Sequence, residues 1–163
     1  MQVAHSASDA LWYLPFVLPI CIFVAWNDMR VMKIPNVAVY ALVAVFAITG
    51  LITLDLELYA WRWLNLFVML VIGMMLNAAG ALGAGDAKFA AAAAPFVALS
   101  DLPVMLYILA ACAAGGYVVH RLVKVSPLRK LVPDWESWSS GKRFPMGFPL
   151  GAALAFYLAI PLV

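Results

Sequence analysis

Residues 87–119, AKFAAAAAPFVAL (87–99), SDLP (100–103) and VMLYILAACAAGGYVV (104–119), decide the topology of this chain. Read as one kinked element, they cross a bilayer once. Read as two, broken at Ser100-Asp101-Leu102-Pro103, they turn back. A bilayer-spanning helix needs about 17–25 apolar residues. The break reading is the one that the placement of charge favours. It gives six spans, at about 11–26, 34–54, 63–82, 87–99, 104–119 and 147–163, with a polar loop at about 120–146.

The distribution of charge tests the division. Cytoplasmic loops of membrane proteins collect Lys and Arg. With six spans, Arg30, Lys33, Lys88, Arg121, Lys124, Arg129, Lys130, Lys142 and Arg143 fall on one side, nine of the ten basic residues. Arg62 alone falls on the other, beside Asp55 and Glu57. The bias places both termini outside and the basic loops in the cytoplasm. Merging spans four and five would move the Arg121–Arg143 loop outside.

Composition sets the class. The 163 residues are 67% hydrophobic and 11% charged, with a mean hydropathy of +1.01. A soluble domain carries about a quarter charged residues. The expectation is therefore an all-α polytopic membrane protein, residues 1–163 forming one membrane-embedded domain. Cys21 and Cys112 lie in apolar spans without CxxC spacing or a nearby histidine, which argues against a zinc site or a disulfide framework. The first ten residues hold no Lys or Arg, unlike a signal peptide. The basic residues flank spans, so nucleic-acid binding is not implied.

Bundle features follow from local sequence. Pro15 and Pro19 predict a kink in span one. Ala90 to Ala94, and Gly115 with Gly116, offer small surfaces for close helix approach. Trp135 and Trp138 predict a last loop lying on the membrane surface, with a solvated loop as the alternative. Asn65 and Asn77 are expected to pair with neighbouring helices. His120, closing span five, reads as a cationic anchor at a helix C-terminus. His5 reads as part of the outer tail.

Two acids remain at the cytoplasmic ends of spans. Asp28 stands in Asn27-Asp28-Met29-Arg30-Val31-Met32-Lys33-Ile34-Pro35-Asn36, where Pro35 suits the opening turn of span two. Asp86 stands in Gly83-Ala84-Gly85-Asp86-Ala87-Lys88, where the glycines allow close approach and Asp86 is able to cap span four. An ordinary turn and an ordinary helix cap account for each acid taken singly. Together, two close carboxylates share one proton, so one takes a proton from water while the other supplies one. That is a metal-free route to hydrolysis. Lys88 and Arg30 either steady the anionic form or anchor to headgroups. Asp9, Asp55, Glu57 and Asp101 fall on the outer side, and Asp134 and Glu136 lie in the polar loop.

These residues resemble a known family, the prepilin peptidases, membrane aspartic proteases of the GxGD type. Asp28-x-Arg30-x-x-x-Ile34-Pro35-Asn36 is similar to the family's first motif in order and spacing, and Gly83-x-Gly85-Asp86-x-Lys88 to its second. Pro145-Met146-Gly147 stands where compact members usually show Pro-Tyr-Gly. Because Met146 replaces that tyrosine, no role is carried to it. The resemblance implies Asp28 and Asp86 as a catalytic dyad, with Lys88, Arg30, Gly83, Gly85, Pro35 and Asn36 supporting it or positioning substrate. It implies no metal and no cofactor. The substrate would be a type IV pilin-like precursor, a transmembrane helix with a basic leader, cleaved at the cytoplasmic face of a bacterial inner membrane. The paired cysteines of the larger, methylating relatives are absent, which is similar to the branch serving tight-adherence (Flp) pili. Archaeal preflagellin peptidases are a near alternative. Rivals of other classes are a proton-coupled carrier, which would usually hold its carboxylates at mid-bilayer, and a non-catalytic pilin-binding partner. Partners beyond the precursor and lipid, and the oligomeric state, are not legible. Activity is expected to resist chelators and thiol reagents.

Overall fold

A computed structural model describes residues 3–141 and 143–163; Lys142, counted above among the loop cations, lies outside the described residues. Every regular element among the described residues is helical. The α-helices are α1 (Ala7–Val31), α2 (Asn36–Thr53), α3 (Leu56–Ala78), α4 (Ala84–Ala93), α5 (Leu102–Val125) and α6 (Gly147–Ala159). Four stretches are long and apolar enough to cross a membrane: α1, α2, α3 and the stretch Leu99–Val125. Gly147–Leu162 is apolar but shorter, and α4 has only ten residues. The six expected spans therefore resolve into four of spanning length and two short helices.

The cause lies at the break. Pro95 stops α4 earlier than the four-residue interruption at Ser100 predicts, because a proline within a helix cannot supply its hydrogen bond. The chain then makes two 3₁₀ turns, Ala94–Phe96 and Leu99–Asp101, before α5 opens with Pro103 in its first turn. The other proline-bearing helix behaves differently: α1 runs unbroken through Pro15 and Pro19, started by a reciprocal Ser6–Asp9 capping box.

Lipid is the solvent this surface fits. On α3 only Arg62 and Gly73 are buried, while Phe67, Val71 and Met75 stand exposed. The core instead joins Val17, Val24, Leu42, Phe46, Phe89, Leu154 and Tyr157 from α1, α2, α4 and α6. With little hydrophobic driving force between helices in lipid, small residues set which helices meet. A Cβ at Gly151 would stand 2.9 Å from the Cys21 carbonyl, so α6 lies directly on α1. A Cβ at Gly73 would stand 2.9 Å from Ala87 Cβ, where α3 crosses α4.

Several polar residues sit differently from expectation. Asp101 is buried and accepts hydrogen bonds from Ala4 N–H (2.7 Å) and Tyr157 O–H (2.8 Å). His5 is buried against Leu158 O and Tyr157 rather than in a free tail. Arg62 is buried too and reaches Pro95 O. Together they tie the N-terminal segment, α3 and the 94–101 turns to the far end of α6. Asn65 donates to Val97 O across elements, as expected. Asn77 does not: its amide turns back on Leu82 O in the following loop. The polar loop forms 3₁₀ turns at Pro127–Leu131 and Glu136–Trp138, the second of which packs on the bundle. Trp138 is buried, donates to Val132 O (2.8 Å) and stacks on His120. His120 is therefore an interior ring and no headgroup anchor.

Candidate active site

Asp28 sits one turn from the end of α1. The helix stops at Met32, which takes the left-handed conformation (φ 52°) and donates its N–H to Asp28 O. That conformation costs a non-glycine residue about 1 kcal/mol, and it turns the chain toward Ile34 and α2. The Asp28 side chain is buried and points at the start of α6, where Gly147 N–H donates to Asp28 Oδ2 at 2.6 Å. The first amides of a helix have no partner within it, and they carry partial positive charge. Asp28 is thus held by the N-terminus of α6. The fit is close: a Cβ at Gly147 would stand 2.8 Å from Asp28 Cβ and 3.0 Å from Oδ2.

Asp86 is delivered by α4. The helix begins two residues before it, with Gly83 at the cap position, so Asp86 stands in the first turn and is not the cap. Its carboxylate folds back over Gly83, where a Cβ would stand 2.5 Å from Asp86 Oδ2. Gly85 serves another purpose. A Cβ there would stand 3.3 Å from Ile34 Cβ, so this glycine lets the start of α4 lie against the turn into α2.

Asp28 and Asp86 line one chamber of about 660 Å³, walled by Met32, Ile34, Leu82, Phe144 and Met146. Among the described residues, Lys33 and Arg143 are the cations on its wall. Burial pushes the Asp86 carboxyl up to about 6, the Asp28 charge pushes in the same direction, and the Gly83 backbone opposes both.

The raised value makes a stability prediction. A carboxyl whose folded pKa lies above its unfolded value of 3.8 favours the folded state below that value. This contribution disappears as pH rises through about 6. The rise from 3.8 to about 6 corresponds to about 3 kcal/mol, which partial solvent access reduces to about 1–2 kcal/mol. The detergent-solubilised protein is expected to melt lower at pH 8 than at pH 5, and Asp86→Asn to raise the pH 8 melting temperature. Equal melting of wild type and variant at pH 8 would show that Asp86 ionises freely.

The other expected site residues divide. Lys88 is exposed and donates to Asn36 Oδ1 at 3.2 Å, tying α4 to α2 without lining the chamber. Pro35 is the cap residue of α2, and Asn36 its first helical residue. Arg30 turns away: its guanidinium lies over the exposed Trp26 ring, 5.2 Å from the centroid. Gly147, Lys33 and Arg143 were not among the expected site residues. The signal for Gly147 was in the sequence, in the Pro145-Met146-Gly147 run before an apolar span. Lys33 and Arg143 had only the positive bias of their loops. Among the described residues, no group of three or more His, Cys, Asp or Glu side chains gathers as a metal site.

No curated protein and no solved structure matched the chain. A family model did: that of the type IV leader peptidase family, over residues 16–119. The match takes in Asp28, Asp86 and the residues between them, and it covers more than half of the chain. Apolar helices of spanning length and this match lead to one conclusion: the chain belongs to the type IV leader peptidase family, and is a membrane protein with the hydrolytic, prepilin-cleaving character of that family.

Proposed function

We propose that this chain, as one membrane-embedded domain, is an aspartic endopeptidase that removes the basic leader of Flp-type pilin precursors at the cytoplasmic face of the inner membrane. The observation that carries the reading is the sharing of one chamber by Asp28 and Asp86, with Asp86 titrating near 6. Two such carboxyls hold a single proton over a broad pH range, and that proton belongs to the pair. The ionised member takes a proton from water as the water oxygen bonds to the scissile carbonyl carbon. The protonated member gives its proton to the carbonyl oxygen. Collapse of the tetrahedral intermediate breaks the C–N bond: the proton held by the first carboxyl passes to the leaving nitrogen, and one hydroxyl of the intermediate returns its proton to the second carboxylate as the C=O bond forms, so the pair regains its single proton. Gly147 N–H fixes the orientation of Asp28 throughout.

The charge bias supports the orientation. The loop cations belong to the segments around the chamber, so the positive-inside rule faces it to the cytoplasm and both termini outward. Lys33 and Arg143 on the chamber wall then repel a basic leader. Binding therefore rests on the apolar helix of the precursor.

The test is cleavage of a pilin precursor by the purified chain in proteoliposomes, with and without a chelator. Cleavage at the leader junction at an unchanged rate in chelator is expected. Absence of cleavage would overturn the peptidase reading, and loss of activity in chelator would overturn the two-carboxyl mechanism.

A further inference from the structure

The surface between α5 and α6 is concave and apolar. A groove of about 820 Å³ runs between them, floored by Ala111, Cys112, Gly115, Gly116 and Ala152. A second apolar cavity of about 380 Å³ lies toward the Asp28 end, under Trp135 and Trp138. The two share Gly116, Val119 and Phe148, so they form one continuous trough. Phe144 then stands on the wall of both the second cavity and the chamber holding Asp28 and Asp86. The trough thus leads along the bundle to the carboxyls, with one aromatic side chain between.

An apolar face toward lipid is ordinary. What marks this one is His120. Its ring lines the second cavity and is only 3% exposed. Trp138 stacks on one face, with centroids 4.9 Å apart, and Phe144 meets it edge-on. Among the described residues, neither Nδ1 nor Nε2 has a hydrogen-bond partner. A buried polar group without a partner costs free energy, and such groups point to a ligand or water that completes them. Lipid tails offer no hydrogen bond. A peptide chain does, where its helix gives way to the extended backbone that cleavage requires, because the carbonyls and amides there lose their helical partners.

Resting on the peptidase reading above, we propose that the α5–α6 trough is the docking site for the transmembrane helix of the precursor. Small residues let that helix approach closely, and His120 hydrogen-bonds its unwinding end. Gly115 provides a clean test. A Cβ there meets no described atom within 4 Å, and the residue is exposed. Gly115→Leu therefore fills the groove without disturbing the bundle. Gly116, whose Cβ would press on Phe148 at 2.8 Å, does not offer this.

The experiment measures KM and kcat in proteoliposomes for two substrates: the full precursor, and a short leader-junction peptide lacking the transmembrane helix. Gly115→Leu is expected to raise KM for the precursor about tenfold and leave the short peptide unchanged. His120→Phe, which keeps the stack on Trp138 and removes the two partnerless nitrogens, is expected to lower kcat/KM for the precursor about tenfold at a melting temperature no lower than that of the wild type. Cys112 lies in the groove floor, so a bulky maleimide on it, in a Cys21→Ala background, is expected to slow the precursor only. The expected resistance to thiol reagents then holds for the short peptide and not for the natural substrate. Wild-type KM for the precursor in Gly115→Leu, or equal loss on both substrates, would overturn the docking site. Failure of the wild-type protein to cleave either substrate would instead overturn the peptidase reading on which it rests.

Discussion

Asp28→Asn and Asp86→Asn are each expected to lower precursor cleavage by at least about a thousandfold, the scale on which general acid–base groups contribute when they act as a unit. Asparagine keeps the shape of aspartate but neither accepts nor releases a proton at neutral pH. Removing either member leaves the other without a partner for the shared proton. The double variant is therefore expected to be no slower than the slower single one. Misfolding would be a trivial cause of loss, and the two sites guard against it differently. At residue 28 the amide oxygen of asparagine is able to accept the Gly147 N–H that Asp28 now accepts. At residue 86 the change removes a carboxyl held at about 6 by burial and by Asp28, so the variant gains stability while losing activity. Initial rates on the full precursor, with melting temperatures on the same preparations, separate the outcomes. Cleavage within tenfold of wild type in either folded variant would remove that aspartate from the chemistry.

The match between sequence and structure is uneven for physical reasons. Hydrophobicity and length are local properties, so the apolar segments were legible, and so was the break between α4 and α5. The position of the break was not. Pro95 ends α4, but a proline in an apolar run does not by itself separate a stopped helix from a continuous one, as Pro15 and Pro19 within the unbroken α1 demonstrate. Both aspartates were legible because a carboxylate at a membrane boundary is costly. Their convergence on one chamber depends on α6, which lies 119 residues beyond Asp28 at the contact that matters. No periodicity reports such a contact. The placement of Arg30 was not legible for a complementary reason. Motif spacing carries no information about which side of the helix end a long side chain takes, and Trp26, one turn earlier, holds it outward. Arg62, Asp101 and His120 read as surface residues because polar types usually are. Each is buried by elements remote in sequence.

Gly147→Ala is the second large effect expected, and it separates positioning of Asp28 from the chemistry of Asp28. The added methyl would stand 2.8 Å from Asp28 Cβ. That atom is fixed to the backbone of α1 and cannot swing away, so α6 must withdraw. It is poorly able to do so, because one turn later Gly151 already stands against the Cys21 carbonyl. Overpacking of this kind costs about 1–3 kcal/mol, and the 2.6 Å hydrogen bond from Gly147 N–H to Asp28 Oδ2 lengthens or breaks. Asp28 then keeps its carboxyl but loses its orientation. Misplacement of a reacting group by about 1 Å costs about a hundredfold in rate, so kcat is expected to fall about a hundredfold with KM for the precursor little changed. Gly115→Ala is the matched control. It makes the same substitution on a helix face where the new methyl meets no described atom of the protein, and is expected to leave melting temperature and kcat on the short leader-junction peptide, which does not occupy the groove, unaltered. A purely structural role for Gly147 would lower the melting temperature and the yield of active protein while the surviving molecules turned over normally. Active-site titration with a covalent or tight-binding inhibitor counts those molecules. A Gly147→Ala enzyme with wild-type kcat per active molecule would show that the N-terminus of α6 packs against Asp28 without positioning it.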